Sequence, residues 1–195
     1  FVLGQIDSIP KDYQHYWPLI EQCNIPEKDE LGFLTIQESL VSAGQSQRRN
    51  GVHIESPGML QQGGKHSEER YNWGCGMVRG DFSHVEGGIY MASNVANSCR
   101  IWNVTIDTPT LAADKHGGLE HMRDILGEGI CMEAGKIYWL TDATPHESLP
   151  LEQDTYRQFF HVVTSSLSAW YSEHSTPNPE VDIAGAINIV HGNKF

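Results

Sequence analysis

Short runs of apolar, aromatic and β-branched residues, separated by glycine, proline and asparagine, dominate the middle of the chain. Five of them have the composition or the alternation typical of strands, at residues 31–37, 87–93, 99–104, 135–142 and 157–164. After residue 142 an Ala-Thr-Pro turn would place His146 at the start of a further strand. The pattern predicts a mainly β protein.

Helical spacing occurs in two places. Residues 11–22 carry apolar and aromatic side chains at helical intervals, between Pro10 and the helix-breaking segment 24–26. Residues 117–126 carry a second apolar stripe, and Gly127 follows as a stop signal. The spacing predicts a short N-terminal helix and a second helix that packs outside the sheets.

Composition bounds the size of the fold. The chain has 195 residues, of which 39% are hydrophobic, and this content suffices for one substantial core. We therefore expect a single domain over residues 1–195, with a β core at about 31–171. Residues 175–195 show neither the helical spacing nor the alternation of a strand, so we expect an extended or loosely packed tail. Such a tail can cross to a neighbouring subunit, as in a homo-oligomer.

Charge and cysteine usage narrow the classes of partner. A formal net charge of −12 disfavours nucleic acids and anionic membranes, because such partners select clustered Lys and Arg. The sequence contains no apolar run near the roughly 20 residues that a membrane-spanning helix needs. Four cysteines lie far apart without a Cys-x-x-Cys pair, which indicates reduced thiols: Cys23, Cys75, Cys99 and Cys131. We expect a cytoplasmic protein without a nucleic-acid or membrane partner.

The triplet His53-Ile54-Glu55 is the most specific chemical feature. Residues two apart on an extended strand point to the same face, so this triplet would present an imidazole beside a carboxylate. His146 could supply a second imidazole. Two histidines and one carboxylate on one side of a metal leave open positions, an arrangement that suits non-haem Fe(II) oxygenases.

Arg157 heads the last predicted strand, eleven positions beyond His146. If the side chain of Arg157 is buried, it needs an anionic partner, and the planar guanidinium matches a carboxylate through two hydrogen bonds. A dicarboxylate that chelates the metal at one end would offer that partner at the other. The competing interpretation is a surface ion pair with Glu152 or Asp154.

The order and spacing of these residues, His53-x-Glu55, then His146, then Arg157, resemble the Fe(II)/2-oxoglutarate-dependent dioxygenase family over about residues 31–171. Glu55 stands where most members have Asp. The resemblance implies a double-stranded β-helix, or jelly roll, with a few flanking helices. It also implies Fe(II) bound by His53, Glu55 and His146, and 2-oxoglutarate bound by the metal and Arg157. The implied reaction hydroxylates a small organic molecule, or oxidises its C–H bond in a related way, while 2-oxoglutarate becomes succinate.

Two other interpretations stay open. A cupin-like metal-dependent enzyme would use the same roll without 2-oxoglutarate, although such proteins usually carry a His-x-His pair, which this sequence lacks. A non-catalytic jelly-roll binding module would have His53 and Glu55 paired only with each other.

The remaining histidines compete for the metal on weaker grounds. His66 and His84 lie in polar, glycine-rich stretches where solvated side chains are the usual outcome. His116 and His121 have a spacing that does not put them on one helix face. His161 shares a strand face with Arg157, so both are expected inside the protein or neither is.

Other segments could shape the site. Residues 57–75 follow the first ligand segment, and the resemblance to 2-oxoglutarate enzymes implies that they form a lid over the site, with Trp73 as its anchor. Four aromatic residues are candidate walls, although aromatic residues on strands more often belong to a core: Tyr90, Trp102, Trp139 and Trp73. A local group of arginines could favour an anionic substrate despite the overall charge: Arg48, Arg49, Arg79 and Arg100. We expect a small molecule or an amino acid derivative.

Overall fold

The structure is a computed structural model that describes residues 1–55, 58–59, 70–71, 73–79, 84–164 and 167–191. The described chain is mainly β, as the sequence predicts. Its strands are β1 (Phe33–Val41), β2 (Gly58–Met59), β3 (Arg70–Tyr71), β4 (Met77–Arg79), β5 (His84–Glu86), β6 (Gly88–Ser93), β7 (Cys99–Ile101), β8 (Ile130–Cys131), β9 (Tyr138–Leu140), β10 (His146–Ser148), β11 (Thr155–Thr164), β12 (Ala169–Tyr171) and β13 (Asn188–Val190). Its α-helices are α1 (Trp17–Gln22), α2 (Pro109–Ala112) and α3 (Arg123–Leu126), and its 3₁₀ helices are Ile6–Ser8, Lys11–Tyr16 and Glu120–Met122.

Two antiparallel sheets organise the middle of the chain. The larger has the order β1-β11-β6-β9, and the smaller has the order β10-β7-β8. The pairings are nested along the chain: β1 pairs with β11, His53 bridges β10, β6 pairs with β9, and β7 pairs with β8. Among the described residues the two sheets are not hydrogen-bonded into a closed barrel.

The larger sheet is covered on both faces, which explains why every residue of β6 is buried. Alternate side chains such as Ile89 and Val163 belong to the core cluster that also includes Ile101 of the smaller sheet. Their neighbours Tyr90 and Val162 point the other way and pack against the N-terminal segment. The period of two along each strand therefore separates an inner face from an outer one.

The N-terminal helix lies where the sequence predicts it but has two parts. Residues Lys11–Tyr16 form a 3₁₀ helix that continues directly into α1. Asn24 follows with a left-handed φ of 50°, a conformation that commonly ends helices. Ile20 is 4% exposed and packs on the outer face of the larger sheet. The apolar face that the helical spacing predicted therefore packs against the larger sheet.

The predicted helix at 117–126 is wrong in its first part. Gly117 and Leu119 instead exchange backbone hydrogen bonds with the segment that carries His53, and the helical conformation starts only at Glu120. Pairing between distant segments overrides the local helical spacing here. Ile125, which the stripe predicted to be inside, is 80% exposed.

Several strand boundaries differ from the predictions. Strand β1 extends four residues further, to Val41, because its polar second half pairs with β11 along its whole length. Strands β7 and β9 are shorter than predicted. The described part of the tail also returns to the protein, since β13 runs parallel to β12 and the Asn178 amide donates to the Ser8 carbonyl at 2.8 Å.

The four cysteines are free thiols, as predicted. Among the described residues, no helix has the length and apolar character needed to cross a bilayer.

Candidate metal centre

His53 and Glu55 lie on an extended segment that is held from both sides. The N–H of His53 donates to the carbonyl of His146 at 3.0 Å, and the N–H of His146 donates back at 2.9 Å. On the other side, the N–H of Ile54 donates to the carbonyl of Gly117 at 2.9 Å. The predicted ligand strand is thus reduced to an isolated bridge, since only His53 has ladder pairing.

Alternation along this segment decides which side chains meet. Val52 and Ile54 are 2% and 1% exposed and pack with Trp102 and Leu119 in a separate hydrophobic cluster. The side chains of His53 and Glu55, which alternate with these two, point to the opposite side, into a cavity of about 470 Å³. The same-face geometry predicted from the triplet is present.

The three predicted ligands converge. One ligand atom from each of His53, Glu55 and His146 lies within 4.8 Å of the other two. The Nε2 atom of His146 is 3.9 Å from Oε1 of Glu55, and the two imidazole centroids are 4.5 Å apart. The structure confirms this convergence, and that the group binds a metal stays a prediction.

Backbone carbonyls orient both imidazoles. Nδ1 of His53 is 2.8 Å from the carbonyl oxygen of Gly51, and Nδ1 of His146 is 2.9 Å from that of Thr144. A carbonyl only accepts, so Nδ1 of each ring carries a proton, and Nε2 is the atom of each ring that would bind a metal. This second hydrogen bond is the usual device that aims a histidine at a metal.

Burial of the site disfavours the protonated form of His53, which could not bind a metal. His53 and His146 are 8% and 7% exposed. Burial, followed by the nearby His146, lowers the pKa of His53 to about 3. His53 is therefore neutral near pH 7, which is the state that binds a metal. Two imidazoles and one carboxylate fit a divalent transition-metal ion with open positions toward the cavity.

Arg157 is fully buried on the inner face of β11, as is His161, so their predicted shared face is confirmed. The guanidinium donates to the Ser93 hydroxyl at 3.2 Å, the Ser148 hydroxyl at 3.4 Å and the Cys99 sulfur at 3.1 Å. Among the described residues, no carboxylate forms an ion pair with it. The surface pair with Glu152 or Asp154 is thus not formed.

The cavity has a lining that the sequence identified only in part. Sequence reasoning had no site role for several of its residues, which come from four separate parts of the chain: Gln47, Cys99, Glu147, Ser148 and His174. Ser148 could have been found, because it lies two residues after His146 on the same strand face. For His174 no local signal exists. Arg48 and Arg49 of the predicted basic group also line the cavity.

Other predicted features fall elsewhere. The candidate aromatic walls belong to hydrophobic clusters instead of the cavity: Trp73, Tyr90, Trp102 and Trp139. Most of the candidate lid at 57–75, with His66, lies outside the described residues. His84 and His121 are exposed and contribute nothing to the metal group. His116 lines the cavity mouth without joining that group.

Arg100 of the predicted basic group is neutralised. Together with Arg123 it pairs with the buried Glu147, at 3.2 and 2.7 Å. Arg123 also pairs with Glu120 at 2.6 Å, so two arginines balance two carboxylates beside the cavity.

Comparison with protein-family models, with curated protein sequences and with solved structures finds no match to this chain. The functional conclusion therefore depends on the geometry of the site.

Proposed function

We propose that this protein is a non-haem Fe(II)- and 2-oxoglutarate-dependent oxygenase that acts on a small organic molecule. The observation that carries the proposal is the convergence of His53, Glu55 and His146 at the wall of one cavity, with Nδ1 of each imidazole held by a backbone carbonyl. A group of two histidines and one carboxylate with open positions is typical of oxygen-activating Fe(II) sites.

Strand topology supports the double-stranded β-helix that the proposal includes. A long antiparallel hairpin wound into a helix pairs its first strand with its last and its second with its second-to-last, inward to the tip. The nested pairings of this chain follow that order, with β7 and β8 at the tip. The lateral pairs β11-β6 and β10-β7 occur where successive turns of such a helix meet.

Arg157 supports the co-substrate half of the proposal. It is a buried cation whose partners are two neutral hydroxyls and a thiol, and two of them, Ser148 and Cys99, also line the cavity. A buried charge without a counter-ion is costly, so a carboxylate that reaches it would gain a strong charge-assisted bond. The distal carboxylate of 2-oxoglutarate has the charge and the planar shape required.

Each part of the site has a distinct task. His53, Glu55 and His146 would hold the metal and leave its other positions facing the cavity. With Fe(II) and 2-oxoglutarate bound, O2 would be the oxidant: one of its oxygen atoms would enter the C–H bond of the substrate, and the other would enter 2-oxoglutarate, which would leave as succinate and CO2. Met91 and Phe159 line the cavity as apolar side chains and would keep water away from a bound substrate. The volume of about 470 Å³ suits a small molecule.

The test combines metal analysis with anaerobic spectroscopy and a succinate-release assay. The wild-type protein should bind about one Fe(II) per chain and develop a weak visible charge-transfer band with 2-oxoglutarate. His146→Ala should lose both. His121→Ala, which removes an exposed histidine outside the group, is the matched control and should keep both. Equal metal in wild type and His146→Ala would refute the site.

Arg157 is tested separately, because its removal should leave the metal bound. In Arg157→Lys, which retains the charge but loses the planar fork, we expect 2-oxoglutarate affinity to fall by about 10-fold or more. Circular dichroism verifies the fold of the variant. Unchanged affinity in a folded variant would contradict the assigned role.

A cupin-like metal enzyme that does not use 2-oxoglutarate is the second candidate. One observation favours it: Arg157 has no exposed surface, so the co-substrate must displace its present hydroxyl and thiol partners. Stoichiometric metal binding without the charge-transfer band would select this candidate.

A further inference from the structure

Arg48 is a cation that lines the cavity and is not part of the metal centre. Its guanidinium donates to Oε1 of Gln37 at 3.4 Å, a long hydrogen bond to a neutral amide, and lies 5.2 Å from the centroid of the Phe159 ring. Among the described residues, no carboxylate oxygen forms an ion pair with it. Burial lowers the pKa of Arg48, while Glu55 raises it and Arg157 lowers it further. Arg48 stays charged at neutral pH, because arginine does not deprotonate in proteins.

The other arginines around the cavity are differently placed. Arg100 and Arg123 share the buried Glu147, and Arg49 donates to the backbone carbonyl of His116 at 2.7 Å and lies within electrostatic reach of Asp114. Arg48 lies within electrostatic reach of Glu55, but Glu55 is already assigned to the metal. Its position costs desolvation energy that a weak amide contact does not offset, unless a ligand supplies a negative charge.

Charge balance in the loaded site leads to the same expectation. A divalent metal, Arg48 and Arg157 bring four positive charges, and Glu55 supplies one negative charge. A bound 2-oxoglutarate supplies two more negative charges. One positive charge then remains uncompensated in the cavity. Arg48 lines that cavity directly, so a further anion can reach it.

We propose that the substrate of this enzyme carries a carboxylate, and that Arg48 binds that carboxylate within the metal-bearing cavity. The proposal rests on the proposed function, because it assigns 2-oxoglutarate to Arg157 and leaves Arg48 for the substrate. A single carboxylate matches the one remaining charge and the fork of a guanidinium. Gln37 also lines the cavity. Its Nε2 donates one hydrogen bond, to the Gln47 carbonyl at 3.2 Å, and so has a second N–H to offer to the same group.

The experiment compares acids with their own amides. Butyrate, phenylacetate and N-acetylglycine, and the amide of each, are titrated by calorimetry into the 195-residue protein loaded anaerobically with Fe(II) and 2-oxoglutarate. At least one acid should bind about 10-fold or more tightly than its amide. Arg48→Gln should abolish this preference, and Arg48→Lys should retain part of it. Both variants should keep the charge-transfer band, which also shows that they are folded.

The outcomes separate the two proposals. Acids and amides that bind alike, or acids that do not bind, would overturn the assignment of Arg48. Loss of the charge-transfer band in Arg48→Gln would also overturn it, because Arg48 would then hold the co-substrate. Absence of the band in the wild-type protein refutes the proposed function instead. An acid preference in the protein loaded with metal alone, lost in Arg48→Gln, would then still support a carboxylate site.

Discussion

Gly117 braces the metal-binding segment, and replacing it with alanine tests whether that brace positions the ligands. Gly117 has a φ of +80°, and a Cβ atom there would lie 2.1 Å from the carbonyl oxygen of Ile54. Ile54 stands between His53 and Glu55. Because the obstacle is backbone, a rotamer change cannot relieve it, and the two segments must move apart.

The magnitude follows from what the movement breaks. A left-handed φ costs alanine about 1–2 kcal/mol, partly offset by the stiffer unfolded chain. Separating the segments also strains the hydrogen bonds from Ile54 to Gly117 and from Leu119 to Val52, now 2.9 and 2.8 Å. Two buried backbone bonds add about 2–4 kcal/mol. We expect Gly117→Ala to lower the free energy of unfolding by about 3 kcal/mol or more.

Gly135→Ala is the matched control. Its φ of +72° imposes the same left-handed cost, but nothing lies within 4 Å of the added Cβ. Urea unfolding should show a loss of only about 1 kcal/mol for this variant. Metal affinity should fall about 10-fold or more in folded Gly117→Ala and stay unchanged in Gly135→Ala. Equal stabilities and equal metal affinities for the two variants would refute the bracing role.

Two further predictions concern ionisation. Hydrogen bonds from Arg123 and from the Val52 N–H lower the pKa of Glu120 to about 2, from an ordinary value of 4.5. A depressed pKa contributes stability that is present above about pH 4.5 and is lost as the pH falls toward 2. The difference in unfolding free energy between wild type and Glu120→Gln should therefore narrow over that pH range. A difference that does not change with pH would contradict this prediction. Burial raises the pKa of Cys23 from 9.0 to about 12, whereas Cys75 is exposed. Iodoacetamide at pH 8 should therefore modify the exposed Cys75 first, whereas Cys23 should react about 1,000-fold more slowly in the folded protein than in the unfolded protein. Peptide mapping that finds both cysteines labelled together would refute this prediction.

Local periodicity was enough to predict several features correctly. The alternation around His53 and Glu55 placed both on one face, since the pleat of an extended chain depends only on neighbouring residues. The same period put Arg157 and His161 on the inner side of β11. The N-terminal helical segment and the mainly β content were also predictable, because both appear in short-range spacing.

The rest was decided by contacts between distant parts of the chain. The segment at Gly117 is extended and not helical because it hydrogen-bonds to the ligand segment. Three properties of Arg48 depend on how β1 and β11 are packed: its position in the cavity lining, its long hydrogen bond to Gln37, and its nearness to Phe159. Sequence determines which residues can share a face, since that is a property of local backbone geometry. Which faces meet, and which charges are left to bind a ligand between them, follows only from the register and packing of the folded sheets.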